Sequence, residues 1–352
     1  MFWENEPIKL NNNEEINLIT TDILTSNIEM PDGLKIKTLG LKYLEEIHSL
    51  INNHYTEDQQ KTVRLTFSKD FIYWYLIYAP PEFIIGLVLN KKIVGLITAL
   101  FIDMVIYDKE IKVPYINFLC LHSKIRNMGI TFFLINEMKS RLLKNNITYG
   151  LFCTTRIPAD TYCTIKEFII PLNYSKLKEV GFLTETYLPI PKLHYNSFHL
   201  MAESDIDSVV IELNNFLAKF KVRPYFTNDS AHHFLLPKRN VVYSFVKKNT
   251  ENDVTDFVTI YKKYLYCLDK NKIISVAKLA FYYYSTMNLT ELIVHLIDKL
   301  LSYNFDQLLF SDMGENINID ITKFSTFDEF NYYFYNLCIK KTNPSLHCMF
   351  PI

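Results

Sequence analysis

Three places in this sequence carry residue types that could do chemistry. The first is Tyr115-Ile116-Asn117-Phe118-Leu119-Cys120-Leu121-His122, which reads as a strand, followed by a loop over 123–131 and a helix over 132–143. The loop holds Lys124, Arg126, Asn127, Gly129, Ile130 and Thr131. A glycine lets the backbone approach a ligand closely, and the free N–H groups at a helix start suit a pyrophosphate. Lys124 and Arg126 add positive charge beside it. The second place is Cys120 and His122, two apart on a strand and so facing one way, the spacing of a Cys–His nucleophile pair. A buried core thiol beside a hydrogen-bonded histidine is the preferred reading. The third is His232-His233, which has no partner ligands nearby in sequence and reads as packing, so no metal is expected. The six cysteines form no C-x-x-C pair and read as reduced thiols of an intracellular protein.

The elements that must position these residues recur twice along the chain. A strand at Leu34-Lys35-Ile36 and a helical pattern from Tyr43 to Tyr55 are matched by Phe198 to Met201 and a helical pattern from Ile206 to Leu217. Hairpins follow, Ile84 to Leu89 with Ile93 to Phe101, and Val241 to Val246 with Val254 to Tyr261. A strand feeding a helix closes each copy, the second running from Leu279 to Tyr284 and then Thr290 to Leu301. This order predicts an α/β fold of the α+β type, with mixed sheets and helices on their faces. Pro189-Ile190-Pro191 marks the expected join, giving domains 1–192 and 193–352. The second copy lacks the loop glycine, so one cofactor site per chain is expected, with the second half free for an acceptor.

Net charge is −1 with no basic block, which argues against a nucleic-acid partner. Aromatics reach 15%, with 26 Phe and 24 Tyr, so the core or a deep apolar channel must be rich in rings. The start of the chain has no apolar signal region, and Phe83 to Phe101 is broken by Asn90-Lys91-Lys92 into strand–turn–strand rather than a membrane span. A cytoplasmic protein is expected.

Several segments, in order from Phe2 to near the C-terminus, resemble the N-myristoyltransferase family. The loop fits the R/Q-x-x-G-x-G/A pattern of GNAT-type acyltransferases, with Thr131 at the last small position. Ile116 to Arg126 is similar to the signature I-N-F-L-C-V-H-K-K-L-R, and Phe2-Trp3-Glu4 with Pro7 to the F-W-x-x-x-P opening. Tyr55-Thr56-Glu57-Asp58 with Arg64 and Phe67 resembles Y-V-E-D…R-F-x-Y, and Pro171-Leu172-Asn173 with Lys176-Leu177 resembles P-L-N-x-x-K-L. Thr255-Asp256-Phe257 and Tyr332-Tyr333-Phe334-Tyr335-Asn336 resemble T-D-F and Y-Y-L-Y-N.

The resemblance implies two GNAT-like repeats fused through a mixed, saddle-shaped sheet, an acyl-CoA half at 1–192 and a peptide half at 193–352. It implies transfer of a myristoyl group from myristoyl-CoA to the N-terminal glycine of acceptor proteins, by a monomer. Myristoyl-CoA would be held by Phe2, Trp3, Tyr55, Asn117, Phe118, Leu119, Cys120, Leu121, Lys124, Arg126, Asn127, Gly129, Ile130 and Thr131. The backbone N–H groups of Phe118 and Leu119 would form the oxyanion hole, and the terminal carboxylate of Ile352 would be the general base. Asp58, Phe67, Thr154 and Tyr333 would contact the acceptor. The family's Y-T-A-G is Phe152-Cys153-Thr154-Thr155 here, so the polar group near the attacking amine is either Cys153 or Thr154. Its C-R-Y-W-H-R is Ile165 to Ile170, which removes a Tyr and a His, and the acids after Y-V-E-D become Gln59-Gln60-Lys61. A catalytically weak or inactive acyl-CoA or lipidated-peptide binding module, or a short-chain N-acetyltransferase, stands as the alternative.

Overall fold

A computed structural model describes residues 6–23, 25, 29–57, 62–155, 159–183 and 193–349. Two compact units make up the chain. One holds residues 1–60, 64–164 and 330–343, the other 61–63, 165–329 and 344–352. The expected join at 192/193 falls at the edge of residues 184–192, outside the described residues.

In the first unit the sheet is built outward from the long hairpin Lys92–Ile106 and Lys109–Leu121, turned at Tyr107 and Asp108, both with positive φ. Two residues in that region form the tight turn whose twist suits antiparallel strands. Ile84–Leu89 pairs antiparallel with the first hairpin arm, and Leu34–Thr38 pairs antiparallel with Ile84–Leu89. On the other side Gly150–Thr154 lies parallel to Lys109–Leu121, and residues 331–335 lie antiparallel to Gly150–Thr154. Helices α1 (Leu44–His54), α2 (Lys69–Tyr78) and α3 (Thr131–Lys144) complete the unit. Leu134, Met138 and Leu142 recur on one face of α3 and pack on Ile85, Leu87, Ile97 and Ala99.

The second unit repeats the scheme. Val242–Lys248, Val254–Cys267 and Lys272–Tyr283 form an antiparallel run, and the helix Leu289–Ser302 crosses over to Gln307–Ser311, which is parallel to Lys272–Tyr283. That helix starts at a reciprocal cap: the Glu291 N–H donates to Asn288 Oδ1 at 2.9 Å and the Asn288 N–H to Glu291 Oε2 at 3.1 Å. Its Leu292, Ile293, Leu296, Ile297 and Leu300 are all buried. The fold is therefore mixed α/β with a large mixed sheet and flanking helices, as the repeated pattern predicts. Among the described residues no helix is long and apolar enough to cross a membrane.

Candidate active site

The first unit's sheet opens beside the strand Lys109–Leu121. Its parallel pairing with Gly150–Thr154 covers only Tyr115↔Leu151 and Ile116↔Phe152, although the longer strand runs on to Leu121. On its other edge the register jumps from Thr98↔Asn117 to Leu96↔Cys120. Phe118 and Leu119 thus stand opposite the single residue Ile97 as a β-bulge, the device that leaves backbone groups outside the ladder. Phe118 has φ +48°, a conformation that costs a bulky side chain about 1–3 kcal/mol and persists only where neighbours enforce it.

Those neighbours are visible. The Phe118 ring is 2% exposed, with ring centroids of Tyr75 at 4.6 Å, Phe67 at 5.3 Å and Tyr55 at 5.4 Å. Thr98 Oγ1 donates to the Asn117 carbonyl at 3.1 Å and meets the Tyr75 hydroxyl at 2.8 Å. Phe67 is fixed in turn by Asn52 of α1, whose Oδ1 accepts the Phe67 N–H and whose Nδ2 donates to the Phe67 carbonyl, each at 2.9 Å. Leu119, by contrast, is 39% exposed. The Phe118 N–H donates to Asn117 Oδ1 at 2.8 Å, so this amide side chain occupies one of the two expected oxyanion donors. The Tyr55 hydroxyl donates to the same oxygen at 3.4 Å. Tyr75, Thr98 and Asn52 are absent from the expected site. Their residue types read as ordinary core, and only the long-range contacts reveal the brace.

The loop behind the strand end carries two positive-φ residues, Asn127 (+63°) and Gly129 (+74°), and an added Cβ at Gly129 would meet nothing within 4 Å. The glycine is thus needed for its conformation, not to avoid a clash. Lys124 is exposed. Arg126 is turned inward: its Nε donates to the Leu121 carbonyl at 3.2 Å, and Nη2 reaches the Tyr55 carbonyl at 3.3 Å and that of His54. It braces the loop against the end of α1. Ile130 is buried, and Thr131 begins α3.

Cys120 and His122 do not pair as a nucleophile and base. The Cys120 thiol is buried against the Leu50 carbonyl at 3.8 Å, and burial pushes its pKa up to about 12. His122 Nδ1 accepts the Lys124 N–H at 3.2 Å and caps the short turn that follows, its ring 4.0 Å from that of His54. His233 is held neutral, its pKa lowered to about 4 by burial and then by Lys238. Among the described residues no three His, Cys, Asp or Glu side chains gather as a metal site.

Register separates Cys153 from Thr154. Cys153 lies opposite Tyr332, and two residues from Leu151, so it shares a face with Tyr115. It also lies within electrostatic reach of the Tyr55 hydroxyl. Thr154 lies opposite Asn331 and shares the other face with Phe152 and Tyr333. Tyr333 is fully buried and stacked on Phe152 at 5.2 Å, and its hydroxyl has no hydrogen-bond partner among the described residues. Phe2, Trp3, Asp58 and Ile352 lie outside the described residues. Glu57 and Arg64, which flank the Asp58 segment, pair at 2.6 Å.

In the second unit the last described residue, Met349, lines a small surface depression with Phe216, Phe220, Tyr282, Asn316 and Cys348. The tail leading there is tied to the strand at Val222, whose carbonyl accepts the Cys348 N–H at 2.9 Å.

Comparison with known proteins bears on this arrangement. Residues 14–164 match the family model "Myristoyl-CoA:protein N-myristoyltransferase, N-terminal domain", and residues 180–347 match its C-terminal counterpart. A putative glycylpeptide N-tetradecanoyltransferase of Acanthamoeba polyphaga mimivirus is 48% identical over 97% of this chain and 98% of its own. Glycylpeptide N-tetradecanoyltransferase 2 of Danio rerio is 27% identical over 95% of this chain and 74% of its own. The fold is like that of Saccharomyces cerevisiae N-myristoyltransferase solved with bound myristoyl-CoA, with a TM-score of 0.88 at 22% identity, covering 97% of this chain and 88% of that one.

Proposed function

The chain belongs to the N-myristoyltransferase family, and we propose that it transfers a myristoyl group from myristoyl-CoA to the N-terminal glycine of acceptor proteins. The observation that carries this reading is the braced bulge at Phe118–Leu119, which sets backbone N–H groups beside the opening between Lys109–Leu121 and Gly150–Thr154. The residues of the neighbouring loop fit an acyl-CoA. Gly129 gives the close backbone approach, the start of α3 offers N–H groups to the pyrophosphate, and Lys124 supplies charge. Arg126 holds the loop in place.

In this scheme the neutral glycine amine attacks the thioester carbonyl. The C–N bond forms, the carbonyl oxygen takes up negative charge opposite the Phe118 and Leu119 N–H groups, and the C–S bond then breaks as the attacking nitrogen gives up its remaining extra proton to the departing thiolate, which leaves as CoA-SH. The Leu119 donor, fixed by the bulge and not bound to the Asn117 side chain, needs no reorganisation as that charge develops. The Phe118 N–H joins it when the Asn117 side chain gives way. The terminal carboxylate of Ile352 takes the ammonium proton, which leaves no need for an acyl-enzyme. Residues 1–192 serve as the acyl-CoA half and 193–352 as the peptide half, both of GNAT type. Tyr333, Phe67, Asp58 and Thr154 contact the acceptor, and Cys153 is the polar group on the Tyr55 side. We read the protein as a cytoplasmic monomer with no nucleic-acid partner.

Turnover of a panel of Gly-starting peptides with acyl-CoAs of several lengths tests the reading. Myristoyl-CoA is expected to support the highest kcat/KM and to bind more tightly than acetyl-CoA in a calorimetric titration. Equal or tighter binding of acetyl-CoA would favour the short-chain alternative. Gly129→Ala should weaken myristoyl-CoA binding about tenfold, because a side chain at φ +74° costs about 1–2 kcal/mol in the binding conformation. Thermal melting of this variant should stay within a few degrees of wild type, since the position is exposed and uncrowded.

A further inference from the structure

Two histidines that the proposed chemistry does not use meet at the start of the loop assigned to the acyl-CoA. His54 ends α1, and His122 directly follows the strand Lys109–Leu121. Their rings lie 4.0 Å apart, tilted by 41°. Each presents the same atom to the same short turn, Ser123–Ile125. His54 Nδ1 accepts the Ser123 N–H at 3.4 Å, and His122 Nδ1 accepts the Lys124 N–H at 3.2 Å. These are the first N–H groups of the turn, ahead of the Ile125 N–H that donates to the His122 carbonyl at 3.0 Å, so no bond within the turn satisfies them. The His122 N–H itself donates to the Val94 carbonyl at 2.8 Å. The turn is thereby fastened to the strand Lys92–Ile106 on one side and to α1 on the other, and it leads directly to Arg126, Asn127 and Gly129.

An N–H donor needs a lone pair, so both rings must be neutral and carry their single proton on Nε2. An imidazolium bears hydrogen on both nitrogens and sets one N–H against another. The surroundings of His54 favour the neutral ring. Burial, then His122, Arg126 and Arg64 lower its pKa from the usual 6.5, against Glu57, which is itself paired with Arg64 at 2.6 Å. Lys124, on the turn, is a further cation. A helix C-terminus ordinarily favours a protonated histidine, but here Arg126 Nη2 already covers the carbonyls of His54 and Tyr55. With the neutral ring favoured in the folded loop, the His54 contribution is complete above about pH 6.5 and is lost as the pH falls below that.

We propose that His54 and His122 are positioning residues that hold the acyl-CoA loop in its binding conformation only while both rings are neutral, so that acid weakens acyl-CoA binding by releasing the turn at Ser123–Ile125. The proposal rests on the acyltransferase reading above. Its test is the pH profile of the Kd for myristoyl-CoA. Wild type should lose about tenfold in affinity between about pH 7.5 and about pH 5.5, the scale of two lost hydrogen bonds. His54→Asn and His122→Asn each keep an oxygen that accepts the N–H and does not titrate. The double Asn variant should bind within about threefold of wild type at about pH 7.5 and lose less than about threefold on acidification. A phosphate monoester of the ligand titrates near pH 6 as well, and this variant supplies that baseline. A second measurement needs no ligand. Amide hydrogen exchange at Ser123 and Lys124, corrected for the intrinsic rate, should lose protection below about pH 6.5 in wild type and keep it in the double Asn variant. Tighter binding at low pH would mean that imidazolium rings meet the phosphates. Identical profiles for wild type and the double variant would mean that the rings do not carry the effect. Either result overturns the proposal, as does unchanged protection in the exchange measurement. Should wild type fail to bind myristoyl-CoA at every pH, the acyltransferase reading falls, while the exchange measurement still decides whether neutral rings hold the turn.

Discussion

Extending the chain by one glycine beyond Ile352, or amidating its end, is expected to cut acyl transfer by about 10²–10⁴-fold, the scale of a lost general base. The amine to be acylated arrives as an ammonium ion, and only its neutral form attacks a thioester. A group within hydrogen-bond reach must take that proton. The His347 imidazole of the same tail is a poor candidate, since complete burial lowers its pKa to about 3. Two peptide-side residues of the family pattern, a Tyr and a His, are Glu167 and Ile169 here, and Glu167 is paired with Lys278. The tail is anchored as far as Met349, through the Val222↔His347 bridge and the Lys221 N–H to the Leu346 carbonyl at 2.9 Å. The competing account is that Met349 to Ile352 is an apolar plug. On that account the added glycine would lower stability or acyl-CoA affinity, rather than turnover alone. The expected outcome is a near-wild-type melting temperature and myristoyl-CoA affinity with transfer lost. Transfer at the wild-type rate would remove the terminal carboxylate from the mechanism.

The repeated scaffold was legible because local signals agree with the tertiary outcome. The crossover helix Leu289–Ser302 has a capping residue at Asn288 and apolar residues at helical spacing, so its expected span of 290–301 is off by one residue at each end. The strands expected at Ile93 to Phe101 and Tyr115 to His122 belong to one longer hairpin, Lys92–Ile106 with Lys109–Leu121, which the sequence pattern does not announce. Lys109, Glu110 and Lys112 make the start of the Lys109–Leu121 strand look like a loop, while the Tyr107–Asp108 turn lacks the Asn-Gly or Asp-Gly pair that usually announces such a turn. The site was legible by resemblance and not by residue type. Nothing in Asn117-Phe118-Leu119 signals a left-handed phenylalanine, and the groups that enforce it come from Tyr75, Thr98 and Phe67, far along the chain. Arg126 shows the same limit. Its charge and its place after a strand suggest a phosphate ligand, but besides the nearby Leu121 carbonyl its partners are carbonyls at positions 54 and 55, about 70 residues away, which sequence spacing cannot reveal.

Removing a single backbone N–H at Leu119 is expected to lower kcat by about 10²–10³-fold, the range for one missing oxyanion donor. The clean way to do so is to replace Leu119 by its α-hydroxy counterpart, which turns the amide into an ester and keeps both φ and the side chain. A proline would also remove the donor, but it would force Phe118 out of its left-handed conformation and so destroy the bulge as well. Myristoyl-CoA affinity should change only a few-fold, because the donor faces charge that appears during reaction and not in the bound thioester. Leu119→Ala is the control. The side chain is 39% exposed, and its truncation should leave kcat within about threefold of wild type. The Phe118 N–H already meets Asn117 Oδ1, so Leu119 is the donor of the two that waits unoccupied by that side chain. An ester variant that turns over like wild type would place the oxyanion elsewhere than this bulge.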